Sequence, residues 1–136
     1  MKRLTDWRSR LSMAVEAKRR MPFSWGENDC GLFAADCIEA MTGIDLAASF
    51  RNRYADAAGA IRVMGGAGYA NLCELAASYL EEIHPAFARY GDVMAFETEP
   101  TGWSLGIVNG ERVTVLRLDG LGSVSRGAAK RAFRVP

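Results

Sequence analysis

The hydrophobic period of the chain changes once, near Gly91, and that change restricts the fold more than any other feature. Before it, apolar residues recur at three and four positions, the period of helices with one buried face. After it, short apolar runs lie between turn formers, the pattern of strands. Helices followed by a series of strands specify an α+β layout, with the helices packed on a small antiparallel sheet. The 136 residues suffice for one domain with its own core. We therefore read 1–136 as a single unit: an amphipathic helix in 1–22, further helices in 23–90 and an antiparallel sheet in 91–136.

Within the helical part, the first helix is expected over residues 4–21, with Thr5 as cap and Leu4, Trp7, Leu11, Ala14 and Val15 on one side. Pro22 is expected to stop it, and Lys18, Arg19 and Arg20 to form a solvated basic end or a partner patch. The second helix should run from Cys30 to Thr42-Gly43. Short helices follow at Leu46–Arg53 and Asp56–Met64, then a flexible glycine run, Gly65-Gly66-Ala67-Gly68. No strand precedes that run and no Lys-Ser or Lys-Thr follows it, so it is not a phosphate loop. Arg51, Arg53 and Arg62 form either structural ion pairs or an anion grip. A third strong helix is expected over 70–83, with Leu72, Leu75, Ala76, Tyr79, Leu80 and Ile83 as its stripe and His84-Pro85 as its end. Strands are expected at Asp92–Glu97, Ser104–Asn109, Arg112–Leu118, Ser123–Arg126 and Ala132–Val135, joined as a meander, with Asn109-Gly110 as a two-residue hairpin signal.

Charge and cysteine content narrow the function classes. Seventeen basic against sixteen acidic residues give a net charge of +1, which offers nucleic acid no electrostatic footing. No apolar run is long enough to span a membrane, and Met1-Lys2-Arg3 leads into an amphipathic segment instead of a secretory signal. Three cysteines, an odd number, suggest free thiols and a chain made in a cytoplasm. Cys30 and Cys37 stand two helical turns apart, either as a metal pair or with Cys37 as a small core residue. Ligand pairs usually lie closer, and only Cys73 and His84 remain as further donors, so no metal and no cofactor is expected.

The stretch that carries chemistry is Phe23-Ser24-Trp25-Gly26-Glu27-Asn28-Asp29-Cys30-Gly31-Leu32-Phe33. It sets Cys30 at the head of a helix, with Asn28 or Asp29 as cap. A thiol in the first turn feels the positive end of the helix dipole, which favours thiolate. The competing reading is a small buried residue that only packs. Trp25-Gly26 followed by Asp29-Cys30-Gly31-Leu32-Phe33 resembles the nucleophile segment of the NlpC-type cell-wall cysteine peptidases, whose fold is papain-like. The family's serine after the cysteine is missing, so Gly31 follows directly. With Ala34-Ala35-Asp36-Cys37, Thr42-Gly43-Ile44-Asp45 and Phe50-Arg51-Asn52-Arg53-Tyr54, the string is more similar to small relatives encoded in phage and prophage tail regions.

That resemblance sets expectations for the rest of the machinery. A cysteine nucleophile needs a base and usually a group to orient it. In the family the base is a histidine that follows a Gly-Asp-hydrophobic strand. Gly91-Asp92-Val93-Met94-Ala95-Phe96 matches that strand, and Ser104-Leu105-Gly106-Ile107-Val108 matches the run after it, so Ser104 stands at the base position. A serine hydroxyl has no useful basicity near neutral pH. The third polar position, around Val115 to Arg117, is not recognisable. His84, the only histidine, precedes the sheet and reads as a solvent-facing helix end, with a substitute base as its other reading. The resemblance thus implies a catalytically degenerate papain-like domain at a phage tail tip or hub, assembled in the host cytoplasm. Its partners would be other tail proteins and, in a retained groove, a peptidoglycan peptide. The alternatives are an active thiol hydrolase that opens peptidoglycan during DNA entry, and an assembly factor that leaves before the particle is finished. In the hydrolase, Cys30 would attack, while Asp29 and the helix N-terminus would help bind the oxyanion. Trp25 and Trp103 either line the groove or cover the core.

Overall fold

Asp29 and Gly43 bracket an almost wholly apolar helix, and the rest of the molecule is laid around it. A computed structural model describes residues 1–136. The helices are α1 (Trp7–Ala17), α2 (Cys30–Thr42), α3 (Ala57–Gly66) and α4 (Leu72–Tyr79). The strands are β1 (Glu81–Ile83), β2 (Val93–Thr98), β3 (Gly102–Asn109), β4 (Arg112–Arg117), β5 (Gly120–Ser125) and β6 (Arg131–Arg134). In α2 nine residues are buried, including Leu32, Phe33, Cys37, Ile38 and Met41, because α1 packs on one side and β3 and β4 on the other. A helix buried on most of its sides has to be a core helix, and only Glu39 of α2 is exposed.

The layout is α+β, as the change of period requires. All six strands pair antiparallel in the order β1-β6-β2-β3-β4-β5. Only β2 to β5 form a meander; β6 returns across the sheet to pair with β2, and β1 adds to its far side. Alternation divides the side chains cleanly. Val93, Ala95, Leu105, Ile107, Leu116 and Phe133 join α2 in the main core. Met94, Phe96, Val108, Val113, Val115 and Ala132 form a second cluster on the opposite face. The segment after β1 covers that face, held by Arg126, whose guanidinium donates to the carbonyls of Pro85 and Ala88 at 3.0 and 2.8 Å.

Several expected boundaries move. The first helix begins at Trp7, not near Leu4, with Asp6 rather than Thr5 at its cap. The Asp6 carboxylate accepts from Arg10 Nε at 2.8 Å and so leaves the helix N–H groups uncapped. The helix ends at Ala17, well before Pro22, and Lys18 turns inward to pair with Asp36 at 2.6 Å instead of joining a solvated end. Residues 46–53 form turns and no helix, while α3 runs on through Gly65 and Gly66. Arg51 makes structural ion pairs with Asp36 and Asp45, at 2.7 and 2.9 Å. The helix expected over 70–83 stops at Tyr79; Glu81–Ile83 instead pairs with Arg131–Arg134 as an edge strand. In the β3–β4 hairpin the loop residues are Gly110 and Glu111, since Asn109 still pairs with Arg112. Gly110 alone has positive φ, 65°, so this is a glycine-first hairpin and not the Asn-Gly turn that the dipeptide suggests.

Candidate functional site

The loop before α2 is built by three local devices. Ser24 and Asn28 exchange backbone hydrogen bonds at 2.8 and 3.0 Å, which folds the chain tightly back before the helix. Gly26 has φ +84°, and a Cβ there would lie 2.1 Å from the Tyr54 carbonyl oxygen, so only glycine fits. Asp29 is the cap. Its Oδ1 accepts from Leu32 N at 3.0 Å; its Oδ2 accepts from Gly26 N at 2.9 Å and from the Tyr54 hydroxyl at 2.6 Å. One buried carboxylate thus ties the loop, the helix and the Tyr54 turn together.

Cys30 follows immediately, with 8% of its surface exposed. Burial pushes its thiol up to about 12, and the neighbouring Asp29 charge acts in the same direction. The backbone N–H groups of Leu105, Gly31 and Cys30 itself pull the other way without offsetting burial. The helix N-terminus therefore does not yield a thiolate at neutral pH, because desolvation opposes the charged form more strongly than the dipole favours it. Asp29 cannot bind an oxyanion either: a carboxylate offers acceptors only.

Cys30 lines a groove of about 290 Å³ together with Phe23, Trp25, Thr101, Ser104 and Leu116. Ser104 lies on β3 opposite Phe96 of β2, one residue before Leu105, whose N–H faces the sulfur. Leu116, buried on β4, forms part of the groove wall. No imidazole lines the groove. His84 caps the short turn Pro85–Phe87, its Nδ1 accepting from Ala86 N at 3.0 Å and its ring set against Phe87. It lies beyond β1, three strands away from β3, or roughly 14 Å at the usual strand spacing.

The remaining candidates separate. Trp25 stacks edge-on with Phe23 at 4.8 Å and lines the groove, whereas Trp103 packs against the main core. Cys37 and Cys73 are wholly buried in that core, and burial raises both thiols, to about 12 and about 11. No three His, Cys, Asp or Glu residues gather as a metal cage. Sequence reasoning missed Tyr54 and the groove walls Glu99 and Asp119. Tyr54 closes the Phe50–Tyr54 string already matched to the resemblance, which was its only signal. The others depend on hairpin geometry, which no short motif encodes.

A family model described as a domain of unknown function (DUF6950) matches residues 2–135. No curated protein matches the chain. Among solved structures, the crystal structure of the NlpC/p60 domain of the peptidoglycan hydrolase SagA is similar over 96% of this chain and 99% of that one. The TM-score is 0.62 at 16% sequence identity. That similarity shows a shared NlpC/p60-like fold.

Proposed function

Starting from a chain that belongs to the DUF6950 family and has an NlpC/p60-like fold, we propose that it is a catalytically silent structural part of a phage tail tip or hub. The observation that carries the silent reading is the composition of the groove: Cys30 shares it with Ser104 and Leu116, and no imidazole lines it. A papain-type attack requires that a base remove the thiol proton before or during bond formation. At Cys30 that proton is held by burial, and Ser104 cannot accept it usefully at neutral pH. The tail assignment rests on the likeness of the Trp25–Tyr54 string to phage tail-region relatives; a tail part would reside in the virion after assembly in the host cytoplasm.

The test has two arms. Purified peptidoglycan incubated with the folded protein is expected to release no peptides, and mass spectrometry of purified tails is expected to find this chain. Peptide release that is lost in Cys30→Ala would establish the hydrolase instead. Absence from finished particles, with presence in infected cells, would establish an assembly factor.

A further inference from the structure

The groove beside Cys30 opens at a fault in the sheet. β2 follows β3 down to Thr98↔Gly102, whereas β4 pairs with β3 only as far as Gly106↔Val115. β4 itself continues to Arg117, paired with β5. Residues 102–105 and the end of β4 therefore diverge, and the 290 Å³ groove occupies the gap between Ser104 and Leu116–Arg117. Facing strand edges that lack one another are a ready-made place for an extended backbone.

A second cavity, of about 80 Å³, opens on the other side of the thiol. Nineteen of its 22 lining residues are hydrophobic, among them Ile38, Ala60, Met64 and Leu75. Trp25, Cys30 and Thr101 line both spaces, so the two adjoin at these residues.

We propose that the two spaces together hold one extended segment of a partner polypeptide, with its backbone in the groove and one branched aliphatic side chain in the apolar cavity. This rests on the silent reading, since a captured segment must survive beside Cys30. Size selects the side chain: 80 Å³ is about half of the ~150 Å³ apolar cavity that takes up benzene. On that scale about three carbons fit, the branched end of a leucine, and a long acyl chain does not. Chemistry excludes an acidic cell-wall peptide from the cavity, because its carboxylates would be buried among hydrophobic residues without partners. The groove rim adds charge. Glu99 and Asp119 are exposed on it, while Arg117 lies over Gly122 of β5, where an added Cβ would meet its guanidinium at 2.7 Å. Arg117 also lines the groove but forms an ion pair with neither carboxylate, so two carboxylates against one guanidinium leave the rim net negative and favour a lysine or arginine beside the aliphatic anchor.

The probes are linear heptapeptides of glycine, serine and two lysines with a central leucine, alanine or aspartate, together with a peptidoglycan stem tetrapeptide. Each is titrated to millimolar concentration into ¹⁵N-labelled protein, and amide shifts and peptide masses are followed. The leucine peptide is expected to shift amides around Cys30, Met64 and Ser104 and to remain whole. The alanine peptide should bind at least about ten-fold more weakly, as loss of three buried carbons demands. The variant carrying Glu99→Gln and Asp119→Asn, both on exposed side chains, should bind the leucine peptide about two- to five-fold more weakly, the range of exposed ion pairs. No shifts, shifts indifferent to the central residue, or preference for the stem tetrapeptide would each overturn the inference alone. A cleaved leucine peptide would instead overturn the silent reading beneath it.

Discussion

A buried thiol at a helix N-terminus can be tested without knowing any substrate. Solvent reaches 8% of Cys30, and burial with the Asp29 charge raises its pKa from 9.0 to about 12. At about pH 8 a free thiol is about one-tenth thiolate, and an increase of about three units lowers that fraction roughly a thousand-fold. Thiolates of higher pKa are intrinsically more nucleophilic, with a Brønsted slope of about 0.45, which returns roughly twenty-fold. Exchange with a small disulfide reagent should therefore be about fifty-fold slower at Cys30 than at a free cysteine, before any steric shielding. Peptide mass mapping of timed samples follows Cys30, Cys37 and Cys73 separately. The Cys30 rate should climb about ten-fold per pH unit, with no plateau below about pH 11. Cys37, wholly buried and lining neither cavity, should react only when the core opens. A Cys30 rate equal to that of free cysteine near neutrality, with a plateau below 9.0, would refute the reasoning: some group would then be activating the thiol.

Other perturbations separate scaffold from chemistry. Ser104→His alone should release no peptides from purified peptidoglycan, because Leu116 cannot orient an imidazole and Cys30 remains protonated; release that Cys30→Ala abolishes would show that one histidine was all that was missing. Tyr54→Phe removes the 2.6 Å hydrogen bond to Asp29, and hydrogen bonds to charged groups contribute about 1.5–3 kcal/mol. A urea midpoint unchanged in that variant would refute the tie between the loop and α2. Alkali should loosen the fold. The folded state holds the Cys30 and Cys37 protons more tightly, with pKa values raised from 9.0 to about 12. Their contribution is thus fully present below about pH 9 and lost as the pH rises through about 12. Urea midpoints that rose across that window would contradict it.

What could be read from the sequence was whatever local spacing determines. α2 has the expected bounds because Asp29, Gly43 and an apolar interior all lie within the segment itself. The third helix was overextended because Leu80 and Ile83 continue its spacing, yet Glu81 to Ile83 pair with a strand some fifty residues on. Lys18 looked like a solvated end because its partner, Asp36, lies on another helix. The site divides the same way. Cys30, Asp29 and Ser104 were visible in short motifs; Tyr54, Leu116 and Glu99 meet them only through the topology.

The peptidase-like motif is also a folding motif, and its two contents come apart in this chain. Gly26 is required by a carbonyl 2.1 Å from where its Cβ would be, and Asp29 by three hydrogen bonds that begin α2. Both requirements hold whether or not the neighbouring thiol ever attacks a carbonyl. A chain that lost catalysis would keep these residues to keep its fold, so their presence says little about chemistry. The resemblance expects a base at 104 and an orienting group around 115–117, where this chain has Ser104 on β3 and Leu116, itself a core residue, on β4. On the proposed silent reading, this motif at the head of α2 without a histidine at position 104 is what a role in shape alone would need. On that reading the groove holds a chain and does not cut it.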